Sequence, residues 1–139
     1  MIQQVFDEDA CFIGTSLGAF YANKIASHFG CPCVLFNPVC DPFIELQQFL
    51  GENINFSSGE SYIFSKETLA SYAYTYFVED NGIPRTIFVS ENDEVLVNNV
   101  NKVNALYGGK AEISIINGSH RIEDFTPYVG RIISTANTV

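Results

Sequence analysis

Basic residues are scarce in this chain of 139. Seven Lys and Arg stand against 16 Asp and Glu, a net charge of −9. So acidic a surface repels phosphate backbones and anionic lipid, so neither nucleic acid nor a membrane surface is an expected partner. Long apolar runs are missing as well; none approaches the ~20 residues of a membrane span. The first ten residues, MIQQVFDEDA, are acidic where a secretory leader carries positive charge. The expectation is therefore a cytoplasmic protein whose four cysteines, Cys11, Cys31, Cys33 and Cys40, are free and buried. Cys31 and Cys33 have C-x-C spacing and lack a nearby His to complete a zinc set. His28 and Cys31 flank a predicted helix end at a spacing with no standard metal geometry, so no metal is expected. Internal repeats, low-complexity tracts and linkers are also lacking.

What the chain does hold is enough apolar material for a core. Apolar residues make up 47% against 17% charged, with a mean hydropathy of +0.11, which excludes disorder. The length suits a single domain spanning residues 1–139, burying about 70% of its unfolded surface.

Hydrophobic periodicity predicts strands alternating with helices. Residues 2–8 read as the end of a helix. Ala10–Ile13, Cys33–Phe36, Thr86–Val89 and Ile113–Ile116 are short apolar runs with strand character. Leu17, Phe20, Tyr21, Ile25 and Phe29 recur at helical spacing, with Gly30 and Pro32 as stop signals. Further helices are expected over Ile44–Leu50, Lys66–Val78, Val95–Tyr107 and Ile122–Thr135. For Lys66–Val78 the alternation of Tyr72, Tyr74 and Tyr76 also fits a strand; helix is favoured because Ser65 resembles a cap. Residues 51–65 show no clear element. Strands that are apolar throughout, alternating with helices, imply an α/β fold: a truncated, doubly wound, α/β-hydrolase-like domain of about four mostly parallel strands.

Gly14-Thr15-Ser16-Leu17-Gly18 is a G-x-S-x-G box between a predicted strand and a predicted helix, the context of a nucleophile elbow. A sharp turn there lifts the Ser16 hydroxyl clear of the sheet, and Gly14 and Gly18 let neighbouring backbone pass without Cβ clashes. The Leu17 N–H, at the helix N-terminus, is the candidate oxyanion donor. Only two histidines exist. His28 falls near a helix end, whereas His120 follows the fourth strand in a loop, the better place for a base. Its bland reading is an exposed loop histidine. Ser90-Glu91-Asn92-Asp93-Glu94 follows the third strand, and Asp93 is favoured as the acid that fixes the imidazole tautomer. Glu91 and Glu94 read as solvating the loop or favouring the next helix's N-terminus. The chain order Ser, Asp, His is that of α/β-hydrolases.

The segments GTSLGAFYA, VLFNP, DEVL and GSHRIEDF resemble the YqiA-type esterases, small α/β-hydrolases also called UPF0227, over nearly the whole chain. The resemblance implies Ser16 as nucleophile, Asp93 as acid and His120 as base, with Asn37-Pro38 ending a strand and residues 51–77 forming a small cap. One departure stands out. Members of that family carry a strand, a His-Gly-Phe-like oxyanion loop, a helix and another strand before the box, where only 13 residues precede Gly14. Val97 is a lesser departure, at a position where the family tends to be polar or acidic. Without the preceding strand, Ala10–Ile13 is expected to be a bare sheet edge, prone to pair with another chain.

Three accounts fit that departure: a fragment of a longer hydrolase, a chain that pairs with itself or a second chain at the first strand, or a decayed hydrolase kept as an interaction or regulatory module. The expected substrate is a small carboxylic ester or thioester, with no cofactor. Phe56, Tyr62, Phe64, Tyr72, Tyr74, Tyr76 and Phe77 are dense enough to line an acyl pocket or a partner contact, with plain core the leading reading.

Overall fold

The computed structural model describes residues 9–73 and 82–138; the predicted helix end at 2–8 and residues 74–78 of the predicted 66–78 helix lie outside these, and the described part of that helix stops at Ala70. In chain order the elements are β1 (Phe12–Thr15), α1 (Leu17–Phe29), β2 (Cys33–Phe36), α2 (Pro42–Glu45), β3 (Gly51–Ile54), β4 (Ser61–Phe64), α3 (Lys66–Ala70), β5 (Arg85–Ser90), α4 (Asn99–Tyr107), β6 (Glu112–Ile116) and α5 (Val129–Ala136). The chain divides into two compact units, one formed by residues 1–39 and 79–139, the other by 40–78.

In the larger unit, β1, β2, β5 and β6 form one sheet in that order, with every pairing parallel. Parallel strands need covering on both faces, and alternation along β2 and β5 shows how this is achieved. Cys33 sits beside Arg85 in register, and both face α1: Cys33 Sγ and Arg85 Nε both reach Asn23 Oδ1. The Arg85 guanidinium lies over the Tyr107 ring of α4, so α4 shares that face. Val34, Phe36 and Phe88 point the other way and pack against Tyr128 and Ile132 of the α5 region. The Thr86 and Thr135 hydroxyls share a 2.6 Å hydrogen bond on this second face. Phe36 stacks on Phe88 at 5.0 Å, with Phe125 and Tyr128 edge-on to it. β2 is buried at every residue, as an interior strand of a covered sheet must be. Among the described residues β1 pairs with β2 alone and forms an edge. No helix of the described residues is long and apolar enough to cross a membrane.

Local chemistry explains where helices differ from the expected bounds. The helix expected from Val95 starts only at Asn99, because the Asp93 carboxylate takes the Val95 and Leu96 N–H groups into a tight turn. Asn98 then adopts a left-handed backbone (φ 62°) that α-helix does not admit. The last helix starts at Val129 rather than Ile122. Asp124 Oδ1 caps the Thr126 N–H, and Pro127 disfavours helical backbone before it, leaving a 3-10 turn over Thr126–Tyr128.

In the smaller unit, α2 is opened by Asp41, whose Oδ1 accepts from the Ile44 N–H, while Glu45 reaches back to the Cys40 and Asp41 N–H groups. The helix expected over Ile44–Leu50 is instead this single turn, followed by a 3-10 turn over Leu46–Phe49. Residues 51–65 hold an antiparallel hairpin, β3 with β4, where no element was expected. Its turn is organised by Asn55, whose Oδ1 accepts from Ser57 and Ser58, with Gly59 at φ 74°. Phe56 in that turn and Tyr62 on β4 are exposed, so neither is core. Ser65 does cap α3, accepting from the Thr68 N–H at 3.1 Å.

None of the four cysteines forms a disulfide; Cys31, Cys33 and Cys40 are buried and Cys11 half-buried. Burial pushes the Cys33 thiol from 9.0 to about 12, against the opposing pull of the Arg85 guanidinium. Folding therefore keeps a proton that the unfolded chain loses near pH 9, and stability falls as pH rises between those two values. The expected slope is about 1.4 kcal/mol per pH unit from this group. Urea midpoints at pH 8 to 10.5 check it: the wild-type midpoint drops more steeply than that of Cys33→Ala. Parallel slopes would contradict it.

Candidate active site

Ser16 joins β1 to α1 in a conformation that L-residues rarely adopt, φ 54° and ψ −122°. Such strain persists only where the surroundings over-determine it, and here four backbone hydrogen bonds do so. The Ser16 N–H donates to the Phe36 carbonyl, and the Ser16 carbonyl accepts from Ala19, Phe20 and Val39. Leu17, the first helical residue, has no intrahelical acceptor for its N–H. The box's two glycines differ in their need. A Cβ on Gly14 would fall on the Gly18 carbonyl oxygen, 2.6 Å from its carbon and 2.7 Å from the Ala19 nitrogen, whereas one on Gly18 meets nothing within 4 Å. The expectation that both glycines relieve a clash holds for Gly14 alone. Because the obstruction is backbone, Gly14→Ala is expected to cost about 3 kcal/mol, measured by urea denaturation, with Gly18→Ala far milder.

Asp93 and His120 come from the loops after β5 and β6. Asp93 has a nearly buried carboxylate, 2% exposed, with Oδ1 held by the Val95 and Leu96 N–H groups at 2.9 and 2.7 Å. Its Oδ2 lies 2.8 Å from His120 Nδ1. On the other side of the ring, His120 Nε2 lies 2.9 Å from Ser16 Oγ. Three side chains spread over 105 positions of sequence thus meet in one hydrogen-bonded chain. Since Oδ2 of a carboxylate only accepts, Nδ1 carries the proton and Nε2 is left to accept from the Ser16 hydroxyl. That arrangement can take a proton from Ser16 while the carboxylate stabilises the resulting imidazolium.

The other candidates fall elsewhere. His28 sits exposed in the last turn of α1, its ring edge-on to Phe29. Val97 is exposed. Glu94 does more than solvate its loop: Oε2 accepts the His120 backbone N–H at 2.9 Å, which holds its carboxyl below the usual carboxylate range. Asn37 does more than end a strand: its buried amide donates to Ser90 Oγ at 2.9 Å and to the His120 carbonyl at 2.7 Å. Its Oδ1 accepts the Ser90 N–H at 2.7 Å. The available sequence signal was an Asn directly after a buried strand, a residue type that tolerates left-handed backbone; Asn37 has φ 44°.

The family model described as the uncharacterised protein family UPF0227 matches residues 1–137. The chain belongs to UPF0227. Solved structures share its fold. A candidate hydrolase from Agrobacterium vitis S4 is 17% identical with a TM-score of 0.67, the match covering 98% of this chain and 62% of that one. The thioesterase domain from the curacin biosynthetic pathway is 12% identical with a TM-score of 0.55, covering 95% of this chain and 69% of that one. This UPF0227 chain therefore spans less than two thirds of the length of the Agrobacterium protein. At these identities the likeness is one of fold, a mostly parallel sheet of four strands with helices.

Proposed function

We propose that this UPF0227 chain is a serine hydrolase acting on a small carboxylic ester or thioester. The observation that carries the reading is the continuous Asp93–His120–Ser16 hydrogen-bond chain ending on a strained elbow serine. In the reaction, Ser16 Oγ attacks the substrate carbonyl carbon as His120 Nε2 takes the hydroxyl proton. The Leu17 N–H donates to the oxyanion, and Asp93 holds and stabilises the imidazolium. Collapse expels the alcohol or thiol, which takes the proton from His120, and leaves an acyl group on Ser16. Water then attacks the acyl carbonyl with His120 as base, releasing the acid and restoring the hydroxyl. These steps call on no cofactor. As part of the same reading, four cysteines outside any disulfide suit a reducing, cytoplasmic setting.

Stopped-flow hydrolysis of p-nitrophenyl acetate and butyrate tests the reading. The expected result is a burst of about one equivalent of p-nitrophenolate followed by slower turnover. Folded protein giving neither burst nor turnover with these esters, or with an acyl thioester, would sink it.

A second reading is supported by the position of β1, at the sheet edge among the described residues, with Ile13 half exposed. In it the chain is an interaction protein that pairs through β1 with a second copy or another chain. Native mass spectrometry decides: a dimer or heteromer lost on Ile13→Lys favours it, and a clean monomer in cell extract counts against it.

A further inference from the structure

We propose that Asn37 is the positioning residue that sets the reach of His120 to Ser16, an inference that rests on the serine-hydrolase reading above. His120 sits in a loop, and a loop peptide free to rotate would not hold a ring nitrogen at 2.9 Å from a hydroxyl. Its three points of attachment are separate. The ring is held by Asp93, the backbone N–H by Glu94, and the backbone carbonyl by the Asn37 amide. Of the two groups that hold the peptide, Glu94 is solvent-exposed and Asn37 is 1% exposed, so the Asn37 bond is the less replaceable by water.

Asn37 also ties the other two loops to the same point. Its own N–H donates to the Phe88 carbonyl on β5. Its Oδ1 and Nδ2 clasp Ser90, the last residue of the strand that leads to Asp93. The residue before it, Phe36, accepts the Ser16 N–H. A weaker 3.4 Å contact from Nδ2 to the Ser119 carbonyl extends the grip on the histidine loop. One buried amide thus fixes the base loop and the acid loop against the strand that anchors the elbow.

The residue type follows from three simultaneous demands. The backbone needs φ 44°, which Asn tolerates better than most L-residues. The Ser90 N–H needs an acceptor, and the His120 carbonyl needs a donor. Asp meets the first two and fails the third; Gly meets only the first. Both substitutions therefore keep the backbone unstrained while removing the donor to His120, and they differ in whether the Ser90 N–H keeps its acceptor.

The test uses the 139-residue chain with Asn37→Asp, Asn37→Gly and wild type, each shown folded by circular dichroism. The rate of Ser16 labelling by a fluorophosphonate is measured beside the downfield proton-NMR signal of the His120 Nδ1–H held by Asp93. The expected result is labelling slowed about 100-fold in both variants, the effect of ångström-scale misplacement, with the downfield signal lost or moved upfield. A purely structural role predicts lower melting temperatures with labelling and ring signal as in wild type, and that outcome overturns the proposal. Should Asn37→Gly not fold, Asn37→Asp alone decides in the same way. If wild type does not label yet shows the ring signal, and the variants lose it, the hydrolase reading fails while Asn37's hold on His120 stands. If wild type labels and the folded variants label equally fast, the reverse holds.

Discussion

Replacing His120 by alanine is expected to slow acylation of Ser16 by about 10⁶-fold. The size follows from the site's dependence on one proton acceptor. Ser16 Oγ has a single ring nitrogen beside it, 2.9 Å away, and a serine hydroxyl that keeps its proton is a poor nucleophile at neutral pH. His28, the other histidine, is exposed at the far end of α1 and offers no substitute. His120 lies outside the buried core, so the variant is expected to remain folded and the effect to be confined to rate. Labelling kinetics with a fluorophosphonate, beside urea denaturation, read both parts. A folded variant that labels at the wild-type rate would remove His120 from the chemistry.

Asp93→Asn is expected to cost about 10⁴-fold in the same rate, for a subtler reason. The amide oxygen can still accept from the Val95 and Leu96 N–H groups, which now hold Oδ1. The amide nitrogen then faces His120 Nδ1 and donates to it. Nδ1 becomes an acceptor, the ring proton moves to Nε2, and Nε2 can no longer take the Ser16 proton. The geometry survives while the tautomer is wrong. Loss of activity with unchanged denaturation midpoint is the expected signature. An equally large fall in stability would instead mark Asp93 as a cap of its turn and little more.

The parts of the fold readable in advance are those set by short-range pattern. β2 is apolar at every position because it lies inside a covered parallel sheet, and α1 carries its apolar stripe up to the left-handed Gly30. The elbow is readable because a box of fixed spacing falls between the two kinds of pattern. Asp93 and His120 follow from where loops leave parallel strands. The β3–β4 hairpin escaped because its strands are four residues long and mostly exposed, so hydrophobic alternation is weak and the Asn55 turn dominates the local signal.

Asn37 and Glu94 escaped for another reason. The contacts that tie them to His120 go to backbone atoms 83 and 26 residues away, and backbone atoms leave no mark on sequence. The Val95 and Ile122 helix starts were misplaced by side chains, Asp93 and Asp124, that compete for the N–H groups a first helical turn leaves free. The placing of Asp93 beside His120 and the late start of α4 are one event: the carboxylate that faces His120 is fixed by the N–H groups it takes from its own chain.

Treating folded protein with a fluorophosphonate and locating the adduct by peptide mass spectrometry tests the central claim most directly. The hydrogen-bond chain predicts one adduct, on the peptide that carries Ser16, lost on denaturation and absent from Ser16→Ala. A folded protein that takes up no label, or Ser16→Ala that takes up as much as wild type, would contradict it.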